Sequence, residues 1–494
     1  MQFNSVQFLV FFPIVVGIYF LIPKKIKYLW LLVTSYFFYM SWNAKYAILI
    51  AFSTIVTYFA GRLLGKTDEK KKKNLIVAVS FTVNLGILGF FKYFDFLIAN
   101  INGILSAVGL KLVSNPFDVL LPVGISFYTF QALGYTIDVY RKEIEPEKNF
   151  FRYALFVSFF PQLVAGPIER SKNLLGQIDR MAKERMWDYS KIVSGFGLML
   201  WGMFQKVVVA DRCAVFVDAV HANLFAAGTV ETVISAFLFS IQIYCDFAGY
   251  SAVAIGAARV MGFSLMENFN TPYFATSIQD FWRRWHISLS TWFRDYLYIP
   301  LGGSRCSKLK KYRNIMITFL ASGLWHGASW TFVIWGGLHG AFQIIGELLR
   351  PIKEKVNTFF KVKTDAFSYK LGQIMITYGL TTFAWISFRA RSWENLVLYF
   401  NRMFTKVNLW IVFGGGLDYL NINRDDVKIV VVFLGILLLG EIVRYVKKVD
   451  VGEYLWQQNL WFRIGVFIVL IVIILVYGEY GIHFDSGKFI YFDF

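Results

Sequence analysis

Apolar runs of roughly bilayer length recur along the whole of this 494-residue chain. A transmembrane helix needs about 17–25 mostly apolar residues, and hydrocarbon tolerates only structures that satisfy their own backbone. Such runs occupy residues 6–22, 28–42, 46–64, 429–443 and 464–477. Hydrophobic residues make up 57% of the chain and charged residues 17%, too little charge to cover a water-exposed surface. The expected fold class is therefore an all-α integral membrane protein, with residues 1–494 forming a single polytopic domain. Length alone predicts about eleven to thirteen spanning helices. Residues 92–122 and 281–300 are aromatic but too polar for simple spans. They are expected to be re-entrant or interfacial, buried in protein or lining a wet cavity. No internal repeat is visible, which argues against a secondary-transporter architecture.

The net charge of +18 would suggest a nucleic-acid partner in a soluble protein. Here the basic residues sit in short loops between apolar runs, so the partner they imply is the lipid bilayer. Lys24, Lys25 and Lys27 follow the first run, and GKTDEKKKKN (65–74) follows the third. Two runs separate these basic loops, so both can be cytoplasmic, which places Met1 outside. At the other end, Arg444, Lys447 and Lys448 precede the last run, which puts the tail EYGIHFDSGKFIYFDF (479–494) outside as well. The N-terminus lacks a positive n-region and a small-residue cleavage site, so it is read as a retained first helix. Cys213, Cys245 and Cys306 form no C-x-x-C pair, so neither a metal site nor a disulfide framework is expected.

The five histidines are His221, His286, His326, His339 and His483. His326 lies in FLASGLWHGASWTFVIWGGLHG (319–340), an almost uncharged segment. Gly323, Gly327, Ala328 and Ser329 surround it, and small residues let helices approach closely or leave room for a ligand. Ionisable groups at membrane depth are costly and point to function. A neutral imidazole accepts a proton from a hydroxyl, as a general base must. The alternative role for His326 is a helix–helix hydrogen bond. His286 lies in QDFWRRWHISLSTWFRDYLYIPLGGSR (279–305), a mixture suited to a polar funnel or to an interfacial amphipathic helix. His339 reads as packing, and His221 and His483 as loop residues. Arg283, Arg284, Arg294 and Arg305, with Lys308, Lys310, Lys311 and Arg313, form a dense basic set. They fit either cytoplasmic-side charge or a docking surface for a phosphate-bearing acyl donor, because guanidinium groups bind phosphate in bidentate fashion. No P-loop or G-x-G-x-x-G accompanies them, so nucleotide hydrolysis is not indicated. Ser126, Tyr128, Gln131, Asp138 and Asp246 are further polar residues within apolar runs. They could line a cavity, and Asp246 is expected to hydrogen-bond nearby hydroxyls.

At LPVGISFYTFQ, PQLVAGPIER, YCDFAGYS, FNTPYFATSIQDFWRRWHISLSTWFRDYLYIPLGG and GLWHGASWTFVIWGGLHG the chain resembles the membrane-bound O-acyltransferase (MBOAT) family. It is most similar to the bacterial branch that serves alginate and peptidoglycan O-acetylation and teichoic-acid D-alanylation. The resemblance implies a ring of transmembrane and re-entrant helices around a central tunnel. It assigns the family's catalytic histidine to His326 and the second family position to His286. It also implies acetyl-CoA as a cytosolic acyl-donor substrate, with no bound cofactor and no metal. The acceptor would wait outside a bacterial cytoplasmic (inner) membrane. An SGNH-type acetyltransferase would be the extracytoplasmic partner and a polysaccharide the final acceptor.

The tail FIYFDF (489–494) is similar to endings in the alginate branch; in D-alanylation systems a comparable ending sits on a separate small partner. This implies a transient acyl relay on Tyr491. A phenol, with a pKa of about 10, gives up its proton more readily than a sugar hydroxyl and forms a more reactive ester. The alternative is a frayed aromatic terminus at the interface. Other readings are D-alanyl transfer from a carrier protein, a transporter or flippase, and an inactive scaffold that recruits the extracytoplasmic transferase. Donor turnover separates the transporter from the enzyme. The presence of both His286 and His326 argues against the scaffold.

Overall fold

The computed structural model describes every residue except 116, 118–120, 165, 413–419, 421–423 and 480–494. The described residues form helices joined by turns and loops, with no strand among them. Among the described residues, seven helical segments are long and apolar enough to cross a membrane: Ala44–Leu64, Lys70–Ala107, Tyr189–Ala222, Thr229–Val260, Trp330–Phe359, Asp425–Lys447 and Leu460–Tyr477. Val6–Leu21 is a shorter apolar helix. Several further apolar runs form shorter helices. Ile125–Tyr140 and Lys27–Met40, for example, have 16 and 14 residues. The polar stretch after Lys92 is not a break. Lys92 lies inside the continuous 38-residue helix Lys70–Ala107.

The chain divides into two compact units. The first comprises Met1–Gly195 and Ala254–Met266. Its helices are joined by buried hydrogen bonds that apolar contacts alone would not specify. Tyr153 Oη donates to Thr57 Oγ1 at 2.7 Å, and Asn84 Oδ1 accepts from Ser53 Oγ at 2.5 Å. Gly61 lets the Tyr135 ring pack directly on the Ala47–Leu64 backbone; a Cβ there would sit 2.6 Å from the ring.

Two polar residues of the 121–141 stretch, Gln131 and Asp138, are hydrogen-bonded within this unit. Gln131 Nε2 and Gln162 Nε2 both donate to the Phe156 carbonyl, at 2.7 and 2.9 Å. Ser171 Oγ donates to Asp138 Oδ2. The Glu169 carboxylate accepts from the amides of Arg170 and Met266 and from Asn173 Nδ2, at 3.0, 2.8 and 2.8 Å. Each of these replaces a hydrogen bond to water that burial removes.

The second unit comprises Phe196–Val253 and Glu267–Phe494. Its outer helices Asp425–Lys447 and Leu460–Tyr477 present bare apolar side chains, such as Val431, Leu439, Ile468 and Leu475, as lipid-facing helices do. Two glycines set its tightest crossing. A Cβ on Gly202 would lie 2.5 Å from the Gly249 carbonyl, and one on Gly249 would lie 2.6 Å from the Gly202 carbonyl. Immediately beyond Gly202, residues Phe204–Ala210 wind as a π-helix. Its i→i+5 pairing brings side chains five apart into register. Lys206 thereby meets Asp211 at 2.8 Å, and it meets Asp246 of the neighbouring helix at 2.6 Å. Asp246, expected from the sequence to hydrogen-bond nearby hydroxyls, is held by an ion pair. The last described residue, Glu479, is pinned here: its amide donates to Val207 at 3.0 Å, and its carboxylate meets Arg212 at 3.1 Å.

Candidate active site

The 279–305 stretch is neither a span nor one amphipathic helix. It forms two short helices, Ile278–Arg284 and Ile287–Phe293, followed by a π-helical turn at Arg294–Tyr298. The break falls on Trp285 and His286. His286 sits in the left-handed region at φ +43°, and so does Thr271. For a residue with a Cβ this conformation costs about 1–3 kcal/mol and persists only where surroundings over-determine it. Here they do. The Asn270 amide donates to the Arg284 carbonyl and the Ile287 amide donates to the Asn268 carbonyl, both at 2.9 Å. These bonds zip 268–270 against 284–287. From the other side, Arg444 donates to the Phe269 carbonyl and lies 3.6 Å from Glu267.

His326 arrives differently. It is the last residue of the helix Lys308–His326. Gly327 is extended, and Ser329 accepts the Thr331 amide to cap the next helix, Trp330–Phe359. The two helices pack closely through Gly323 and Gly336. A Cβ on either would clash with a backbone carbonyl, of Phe332 and Phe319 respectively. The small residues around His326 therefore serve helix approach. That approach brings Trp335 against the His326 ring, with centroids 4.9 Å apart and planes at 87°.

The two histidines meet. Their ring centroids are 6.3 Å apart, with planes at 59°. His286 is 0% and His326 3% exposed. Trp325, Trp335 and Phe388 stand edge-on around His326, and Phe247 packs edge-on against His286 at 4.6 Å. Two polar rings thus share one aromatic box, near enough for a single small group to touch both.

His339 is also fully buried, but its Nδ1 accepts from Trp282 Nε1 at 3.2 Å. It braces the Ile278–Arg284 helix against Trp330–Phe359, the packing role expected of it. His221 lies in the helix Asp211–Ala222, not in a loop, and stacks on Tyr399 at 5.2 Å. His483 and Tyr491 lie outside the described residues.

The four arginines divide. Arg284 is spent on Asp280 at 3.0 Å and on Thr271 at 3.3 Å, and Arg294 pairs with Asp295 at 2.7 Å. Arg283 and Arg305 are exposed and form no ion pair among the described residues. Sequence reasoning missed Asn268, whose side chain meets His286, along with Arg444 and Lys206. Asn268 lies one residue before the stretch that carries the resemblance, so the signal was adjacent. Arg444 was read only as loop charge.

A family model described as MBOAT, membrane-bound O-acyltransferase family, matches residues 133–388, more than half of the chain. The chain belongs to this family. The match contains both histidines of the box. Among curated proteins, the probable alginate O-acetylase AlgI of Pseudomonas aeruginosa is 39% identical over 412 residues, covering 82% of this chain and 75% of its own length. The peptidoglycan O-acetyltransferase of Helicobacter pylori is 37% identical over 402 residues, covering 76% of this chain and 72% of its own. The teichoic acid D-alanyltransferase of Bacillus subtilis is 24% identical over 292 residues, covering 57% and 71%. This MBOAT chain is a multi-span membrane O-acyltransferase, and its similarity to O-acetyltransferases supports O-acetylation as its activity.

Proposed function

We propose that this protein takes an acetyl group from a cytosolic thioester, acetyl-CoA, and passes it across a bacterial inner membrane for O-acetylation of an extracytoplasmic polysaccharide. The whole chain 1–494 acts as one catalytic domain, with both termini outside. The observation that carries the reading is the pair of buried histidine rings in one aromatic box, 6.3 Å apart. A hydroxyl between them loses its proton to His326 while its oxygen attacks the thioester carbonyl. The C–S bond breaks, and the leaving thiolate takes up a proton as the free thiol. His286 orients or polarises the reacting group. Exposed Arg283 and Arg305 meet the phosphates of the donor, with Arg284 and Arg294 holding the surrounding backbone and surface.

The first hydroxyl is that of Tyr491, and an SGNH-type partner then carries the acetyl group to the polymer. The tail leaves the second unit at Glu479. The twelve residues from there to Tyr491 reach at most about 40 Å, on the order of the membrane thickness. The names of the relatives point to alginate-like or peptidoglycan acceptors.

The test uses the purified protein in liposomes with labelled acetyl-CoA. Transfer of label to protein or acceptor is expected, with a labile acetyl adduct on the C-terminal peptide by intact mass. Absence of donor turnover would contradict the enzyme reading and favour a transporter. Turnover without a Tyr491 adduct under trapping conditions would remove the relay alone. Turnover of a D-alanyl carrier instead would reassign the donor.

A further inference from the structure

His286 has a side-chain partner that fixes which of its nitrogens carries the proton. Its Nδ1 lies 3.0 Å from Asn268 Oδ1. The same oxygen accepts from Ser288 Oγ at 2.8 Å and faces the Ser288 amide at 3.4 Å. All three residues are buried, at 0–1% exposure. The amide decides the orientation of Asn268. A backbone N–H can only donate, so the group facing it must be the carbonyl oxygen; the reversed amide would set an NH2 against a donor. An oxygen with no proton of its own leaves Nδ1 of His286 as the donor, and the ring nitrogens of a neutral histidine divide their roles. Nε2 then holds the lone pair.

We infer that Asn268 is a positioning residue of the transfer reaction: it locks His286 as the Nδ1–H tautomer and presents Nε2 to the box as a proton acceptor. This rests on the reading of His286 and His326 as the reacting pair, and it sharpens the role of His286 from a general polarising group to a second base. The lock is built into the backbone. Asn268 sits in the segment zipped to 284–287 and held by Arg444, and His286 keeps its left-handed φ through the same contacts. His326 is a titratable side chain in ring contact with His286, and Phe247, Phe269 and Trp325 also pack on its ring.

The test combines nitrogen NMR of histidine-labelled protein with rate profiles of two variants. Five histidines make the spectrum assignable through the signal lost in His286→Gln. The expected result is a His286 protonated on Nδ1 and bare on Nε2. Asn268→Asp keeps an oxygen at the same place but adds a charge that favours the imidazolium. Its activity should survive, with the acid limb of the rate profile moved to higher pH. Asn268→Ala should lose about 10–100-fold, by analogy with the loss of a partner that orients a metal-bound histidine. If Asn268→Ala fails to fold, the wild-type spectrum and the isosteric Asp variant still decide. A His286 protonated on Nε2, or an Asn268→Asp profile superimposable on wild type, overturns the inference while an inactive His286→Gln keeps the underlying site. A fully active His286→Gln overturns the assignment of His286 and this inference with it.

Discussion

The second unit buries two sets of polar side chains, and it buries them in opposite ways. Lys206, Asp211 and Asp246 answer one another with opposite charges at 2.6–2.8 Å. His286 and His326 are walled by Trp, Phe and each other, on a backbone bent into a costly conformation at His286. The first arrangement sets one lysine between two carboxylates and holds two helices and a π-turn together. The second sets two rings 6.3 Å apart in an aromatic box, on a backbone strained at His286. Buried charge that is satisfied locally is structural. Buried polarity held in place against strain is what the proposed reaction site would show.

The comparison breaks first at His326. Replacing it with Ala should lower acetyl transfer by about 10²–10⁴-fold, the range for losing a general base, with the protein still inserted and of near-normal thermal stability. An equal loss of folded protein would move His326 into the structural class. Lys206→Met should do the reverse. It strands two buried carboxylates and should cost about 3–5 kcal/mol of stability, seen as a lower unfolding temperature in detergent. Adding Asp211→Asn and Asp246→Asn should recover most of that loss, since an apolar or neutral replacement of a whole buried ion set is often tolerated. Gly336→Ala sharpens the boundary between the classes. The added methyl meets the Phe319 carbonyl and should cost about 1–3 kcal/mol by overpacking, together with activity, because the same crossing seats Trp335 on His326. The smallest expected effect is Trp282→Phe, which removes the bond to His339 Nδ1 for about 1 kcal/mol. Activity should remain close to wild type, as measured in the same liposome assay.

Part of this contrast was legible in the sequence. The W-H-G context singled out His326, and the polar stretch around His286 advertised a broken segment. The helix pairs at both ends of the chain follow directly from apolar length, as at Ala47–Leu64 and Leu460–Tyr477. The ion triad was not legible, because Lys206 and Asp211 are five apart. Helical periodicity places such residues on different faces, and only the π-turn aligns them. Asn268 and Arg444 were hidden for another reason. They reach His286 across 18 residues and the Phe269 carbonyl across 175, and a single sequence carries no record of such pairs. The number of spans follows less directly from apolar length, because short buried helices such as Ile125–Tyr140 are apolar too.

The central claim is that His286 and His326 work as one unit. A double-mutant cycle tests it most directly. Transfer rates are measured for His286→Ala, His326→Ala and the double variant, reconstituted with labelled acetyl-CoA. Residues that act together lose most of their effect with the first removal. The double variant should therefore be about as slow as the slower single variant. A double variant whose loss equals the product of the two single losses would show that the rings act independently, and would contradict the account.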